Sequence, residues 1–193
     1  MPVSMWRRFS GACGLVVVAA VAGGIYSATV QAGPSVRTVQ LRDDCDPATF
    51  DAAVGPGTCV GGGDTTFPDF IAEVTAQGSA DQWRMNPDQS EADTGAVPQN
   101  RGGELHSFTQ VQHFGGGFIE VLNGGMEPLT ECAARTPDGV LIRDDTGALV
   151  PALPAIQSFV PAGTNGTTQK LSKGVHKFQC CIHPWMHSTI TVK

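Results

Sequence analysis

The chain has 193 residues, with 18 acidic against 12 basic side chains and a formal net charge of −6. No basic stripe is available to neutralise phosphates, so nucleic acid and anionic lipid are excluded as working partners. Its 24 glycines and 13 prolines exceed average usage yet stay below the disordered range, which points to a turn-rich β fold with a real core.

The first 32 residues have the layout of a targeting segment. Arg7 and Arg8 give a positive start, Leu15 to Ala22 form an apolar run that continues weakly to Val30, and Val30-Gln31-Ala32 offers a cleavage site. Gly23 and Gly24 break the run near the short limit for a membrane span, so a cleaved signal is expected in preference to an anchor. Cys13 precedes the apolar core, which argues against lipid attachment. Residues 33–193 would then form one exported domain, periplasmic or extracellular, with no membrane span after processing. Its 10 basic and 18 acidic residues suit a basic protein partner, and they equally suit plain solubility.

Residues 35–42 alternate imperfectly and predict a strand. A helical module follows over 43–81. Asp46 can cap a short helix starting at Pro47 that ends before Gly55-Pro56-Gly57. Thr66 can cap a second helix, with Pro68 in its first turn and Gly78 as its stop. Phe67, Phe70, Ile71 and Val74 fall at helical spacing and form its core face. From Trp83 the pattern is β. Trp83 to Pro87 is a short strand, residues 88–103 are polar and turn-rich, and Leu105 to Val111 alternates. The run Phe114-Gly-Gly-Gly-Phe118 lets the backbone bend or approach another group closely. Val140–Ile142 and Ala148–Val150 flank Asp145-Thr146-Gly147 as a hairpin, and Asn165-Gly166 is a turn signal that also accounts for its glycosylation sequon. Gly174 to Cys181 and Ser188 to Val192 are the last strands. Many short strands with no alternating helices predict an antiparallel sandwich.

The stretch that carries chemistry is Phe178-Gln-Cys-Cys-Ile-His-Pro-Trp-Met186. A thiolate, an imidazole and a thioether fall within seven residues, where one tight loop can aim all three at a point. Soft sulfur with imidazole suits copper, and a His₂Cys set with a weak axial Met is the blue-copper arrangement. Cys180, His183 and Met186 supply three donors, and the fourth must be a histidine from elsewhere.

This C-x-x-H-P-x-M loop resembles that of the cupredoxin family of blue, type 1 copper proteins, the plastocyanin- and amicyanin-like secreted bacterial proteins among them. Gly102-Gly-Glu-Leu-His106-Ser-Phe-Thr109 resembles the segment that carries their first histidine ligand. The resemblance implies an all-β, Greek-key antiparallel β-sandwich, here with a short N-terminal helical insertion. It implies one copper ion held by His106, Cys180, His183 and Met186. Ser107 is placed beside the Cys180 sulfur, Trp185 over the copper loop, and His113, His176 and His187 at the surface or rim.

The cysteines fit this assignment. Five remain after residue 32, so an oxidising compartment leaves one unpaired. Cys45 and Cys59 bracket the first helix and can pair locally. Neighbouring strand side chains point to opposite faces, so Cys181 faces away from Cys180 and pairs with Cys132. Three functions fit the sequence. One is one-electron transfer at copper with a redox partner protein, and a second is copper handling without a dedicated partner. The third is an interaction module that holds zinc or no metal, although a Met donor argues against zinc. No nucleophile–base arrangement, phosphate loop or second metal constellation points to an enzyme.

Overall fold

The computed structural model describes residues 35–193, so the expected signal segment lies outside the described residues. Strand β1 (Val36–Arg42) buries Val39 and Leu41 on one face. It pairs with β2 (Arg84–Asn86) on one side and β4 (Gly95–Asn100) on the other, and β8 (Gln169–Lys170) completes the sheet. The second sheet runs β3 (Gln89–Ala92), β10 (His187–Val192), β9 (Gly174–Gln179) and β6 (Thr109–Val111). A two-stranded ribbon joins β5 (His106–Ser107) to β7 (Phe159–Val160).

The expected β-sandwich is present, but its sheets are mixed. The pairs β1–β4 and β3–β10 are parallel, and the other ladders are antiparallel. Parallel neighbours need a long crossover, and both pairs are joined by long excursions of chain. Alternation along a strand carries no information about the direction of its partner, which is why the sequence pattern did not distinguish the two arrangements.

The main core lies between the sheets, where Phe108 and Phe178 stack with ring centres 4.1 Å apart. A smaller cluster of Val111, Leu129, Cys132, Ala155 and Cys181 lies apart from it, beneath the connection that includes α3 (Leu153–Gln157). Cys180 belongs to the first cluster and Cys181 to the second, so the two adjacent sulfurs point opposite ways. Disulfides join Cys45 to Cys59 and Cys132 to Cys181, with Cα separations of 6.1 and 5.2 Å. Cys180 is the free cysteine among the described residues. The bridges suit an oxidising compartment. Among those residues no helix is long and apolar enough to cross a membrane.

The helical module forms as its caps dictate. The Asp46 carboxylate accepts from the Thr49 amide at the start of α1 (Pro47–Ala53). The Thr66 hydroxyl accepts from the Asp69 amide at the start of α2 (Phe67–Gln77), which Gly78 ends in the left-handed conformation. Phe50, Phe70 and Trp83 bury together, with Phe70 4.6 Å and Phe50 5.8 Å from the Trp83 ring.

Two local expectations need correction. The polar stretch after Pro87 forms strands β3 and β4 instead of turns alone. Strand β4 packs backbone to backbone: a Cβ on Gly95 would sit 2.2 Å from the Gln169 carbonyl oxygen, so small residues stand where large apolar ones would signal a strand. Asn165-Gly166 is not the turn. The chain turns three residues earlier, at Ala162-Gly163, where the Thr164 amide donates to the Pro161 carbonyl. Asn165 then bridges to Gln99, and the Gly166 amide donates to the Pro98 carbonyl at 2.9 Å.

Candidate metal centre

Strand β5 and the loop between β9 and β10 bring three donors together. Cys180 follows the last residue of β9, and His183 lies on the loop. Backbone bonds close that loop, from the Cys180 amide to the Met186 carbonyl at 2.9 Å and from the Met186 amide to the His183 carbonyl at 3.0 Å. Ser107 ties β5 to it. Its amide points at the Cys180 sulfur at 3.4 Å, and its hydroxyl accepts from the Cys181 amide at 2.8 Å.

The outcome is a buried cluster. The Nδ1 atoms of His106 and His183 lie 3.8 and 3.9 Å from the Cys180 sulfur, and all three donor atoms fall within 4.8 Å of one another. His106 and Cys180 are 0% exposed and His183 3%. A sulfur and a nitrogen bound to one first-row metal at ~2.3 and ~2.0 Å, about 120° apart, stand about 3.7 Å from each other. Both separations are long for a hydrogen bond and match two donors facing a shared ion. The donor set therefore fits copper. Met186, also 0% exposed, is buried in the same core cluster as Cys180.

The far side of each histidine meets a carboxylate that the sequence reading did not single out. His106 Nε2 is 2.7 Å from Asp43 Oδ2, with both side chains at most 1% exposed. His183 Nε2 is 3.6 Å from Glu104 Oε2, too far for a hydrogen bond, and the Trp83 indole N–H donates to that same carboxylate. The one available signal was Gly102-Gly103, because a Cβ on Gly102 would lie 1.8 Å from Asp43 Oδ2. Trp185 stands edge to face with the His183 ring at 5.7 Å and donates to the Trp83 carbonyl. Phe70 covers the same ring at 6.1 Å, so the helical module roofs this histidine. His113 and His187 are exposed and His176 is half-buried, all apart from the cluster. His187 stacks on Phe114 with ring centres 4.2 Å apart.

Electrostatics favour the charged forms of Cys180, His106 and Asp43 and oppose that of Glu104. Burial pushes the Cys180 thiol up, but contact with His106 and His183 and their charge outweigh it and hold the pKa well below the ordinary thiol value. Burial pushes His106 down, while Asp43 and the Cys180 thiolate overcome it and raise the imidazolium to about 10. Asp43 has its burial cost offset by His106 and by the Gly103 and Glu104 amides, which lower its carboxyl to about 2. Burial raises the Glu104 carboxyl, against the opposing effect of the His183 charge and the Trp83 N–H.

No protein-family model and no curated relative matches the sequence. Solved structures align with the chain in three dimensions at low identity. A purple cupredoxin from Nitrosopumilus maritimus aligns over 81% of this chain and 99% of its own, at 11% identity and a TM-score of 0.36. A Cu(I) amicyanin variant aligns over 64% and 89%, at 15% identity and a TM-score of 0.32. Another amicyanin variant, in its reduced state, aligns over 54% and 67%, at 12% identity and a TM-score of 0.28. At such identities and TM-scores the likeness carries no argument about this chain, and what it can hold follows from its own donors.

Proposed function

We propose that this protein holds one copper ion through His106, Cys180 and His183, with Met186 as a weak fourth ligand. We read it as an exported one-electron carrier, not an enzyme, that exchanges electrons with a redox partner protein. The observation that supports this reading is a buried thiolate with two imidazole nitrogens 3.8 and 3.9 Å away. When bound, copper supplies a one-electron couple between its two common oxidation states.

The chain's own residues do the rest. Cys180 offers a negative sulfur, and the Ser107 amide pointing at it takes up part of that charge. The two histidines present nitrogen donors from separate elements, β5 and the loop after β9, that the sandwich fixes relative to each other. Burial at 3% or less keeps water away from all three, which favours retention of one ion over ready exchange. Export rests on the signal-like segment and on the two disulfides.

Adding Cu(II) to the purified protein should produce an intense thiolate-to-copper absorption band that Cys180→Ser abolishes. Met186→Leu should keep the band and raise the reduction potential, because the thioether stabilises the oxidised ion. A colourless protein that takes zinc in preference overturns the copper reading. Rapid surrender of copper to a chelator moves the function to copper handling.

A further inference from the structure

The helical module is an insertion beside the sandwich, yet its first residues reach the metal cluster. Asp43 lies just after β1 and two residues before Cys45 of the module's disulfide. One carboxylate oxygen sits 2.7 Å from His106 Nε2. The same carboxylate accepts from the Gly103 amide at 2.8 Å and the Glu104 amide at 3.1 Å, the residues that lead into β5. A Cβ on Gly102 would strike this carboxylate at 1.8 Å, and one on Gly103 would meet Gly61 at 2.5 Å and the Cys45 sulfur at 2.8 Å. The glycine pair is therefore the seat on which the module closes.

A histidine ring that binds a metal through one nitrogen must have its orientation and tautomer set through the other. We propose that Asp43 is the positioning residue for His106. Its carboxylate accepts the Nε2–H, which leaves Nδ1 as the nitrogen presented toward Cys180, and the Cys45–Cys59 bridge and the Gly102-Gly103 seat hold it there. This makes the helical module a part of the metal centre instead of a surface decoration. The proposal rests on the copper reading for its effect on the ion, but not for its effect on the ring. A fixed negative charge beside a ligand also favours the more positive oxidation state of the metal, so Asp43 lowers the reduction potential as well as orienting the ring.

Two variants test this. In metal-free protein, Asp43→Ala should free the His106 ring, seen as loss of its slowly exchanging Nε2–H signal by NMR and as a rotated ring in a crystal structure. Asp43→Asn gives up the acceptor for the Gly103 amide but keeps one oxygen for the His106 Nε2–H and the Glu104 amide, and should hold the ring where it is. With copper, Asp43→Ala should weaken binding about 10–100-fold. Asp43→Asn should bind nearly normally but raise the potential by about 59 mV for each tenfold change in the ratio of Cu(I) to Cu(II) affinity. A merely structural aspartate would not move the potential of a variant that folds and binds normally. An unmoved ring in Asp43→Ala, or an unchanged potential in Asp43→Asn, overturns the proposal. Should the unaltered protein give no copper band, the copper reading falls, and the ring measurement still decides the role of Asp43.

Discussion

The sandwich carries two long excursions, the helical module over residues 43–81 and the connection over residues 112–157, and each contains one end or both ends of a disulfide. They differ in what they bury. The module packs Phe50 and Phe70 against Trp83 in the main core and delivers Asp43 to His106. The connection sends Leu122 into the main core, with Ile119 packed beside it, but forms a small cluster of its own on the far side of Cys181, and its hairpin is held by isolated bridges with Val140 63% exposed. The module reaches a histidine of the metal cluster through Asp43, whereas the separate cluster of the connection braces the strand that feeds the metal cluster through Cys132–Cys181.

The largest test of this difference removes each bridge. Loop length alone assigns about 4 kcal/mol to Cys132–Cys181, which spans 49 residues, and about 3 kcal/mol to Cys45–Cys59, which spans 14. Replacing both cysteines of a bridge by serine should therefore lower the melting temperature more for Cys132 and Cys181. Copper affinity should follow the reverse order, since only Cys45 neighbours the Asp43 seat. Parallel losses of stability and copper binding in both double variants would erase the distinction. A smaller effect separates one ring in each region. Phe70→Ala should cost about 3–5 kcal/mol and uncover His183. Phe118→Ala, half-buried against Phe159, should cost roughly half of that or less and leave the copper spectrum alone. Chemical denaturation with a copper titration on each variant measures both quantities. Smallest of all is the replacement of one carboxylate in the connection. Glu120 pairs with Arg143, both 44% exposed, and Glu120→Gln should leave the melting temperature and the potential within error. Measured beside Asp43→Asn, it separates a buried carboxylate that orients a ligand from an exposed one that does not.

Much of this contrast was legible in the sequence. Both helices begin and end at their capping residues because a cap is a local bargain between one side chain and the next three amides. The Cys-x-x-His-x-x-Met loop was legible for the same reason, being short and closed on itself. The pairing of Cys181 with Cys132 followed from strand alternation, which puts neighbours on opposite faces. Strand β3 was hidden because Gln89, Ser90 and Glu91 are polar and Ala92 is its one apolar, buried residue, and β4 because Gly95 and Ala96 are small and pack backbone to backbone. Asp43 and Glu104 were hidden by distance, since 63 residues separate Asp43 from the histidine it contacts. No local pattern announces such a partner. The glycines that make room for it show only as absent side chains, and flexible turns leave the same mark.

The aromatic roof over His183 has an optical consequence. The chain has three tryptophans and one tyrosine, and Trp6 and Tyr26 both lie within the first 32 residues. From residue 33 onward the emitting rings are Trp83 and Trp185, whose centres stand 6.4 and 5.7 Å from the His183 ring. Both tryptophans from residue 33 onward are thus immediate neighbours of His183. Intrinsic emission from residues 33–193 therefore reports on the surroundings of His183, readable without a label.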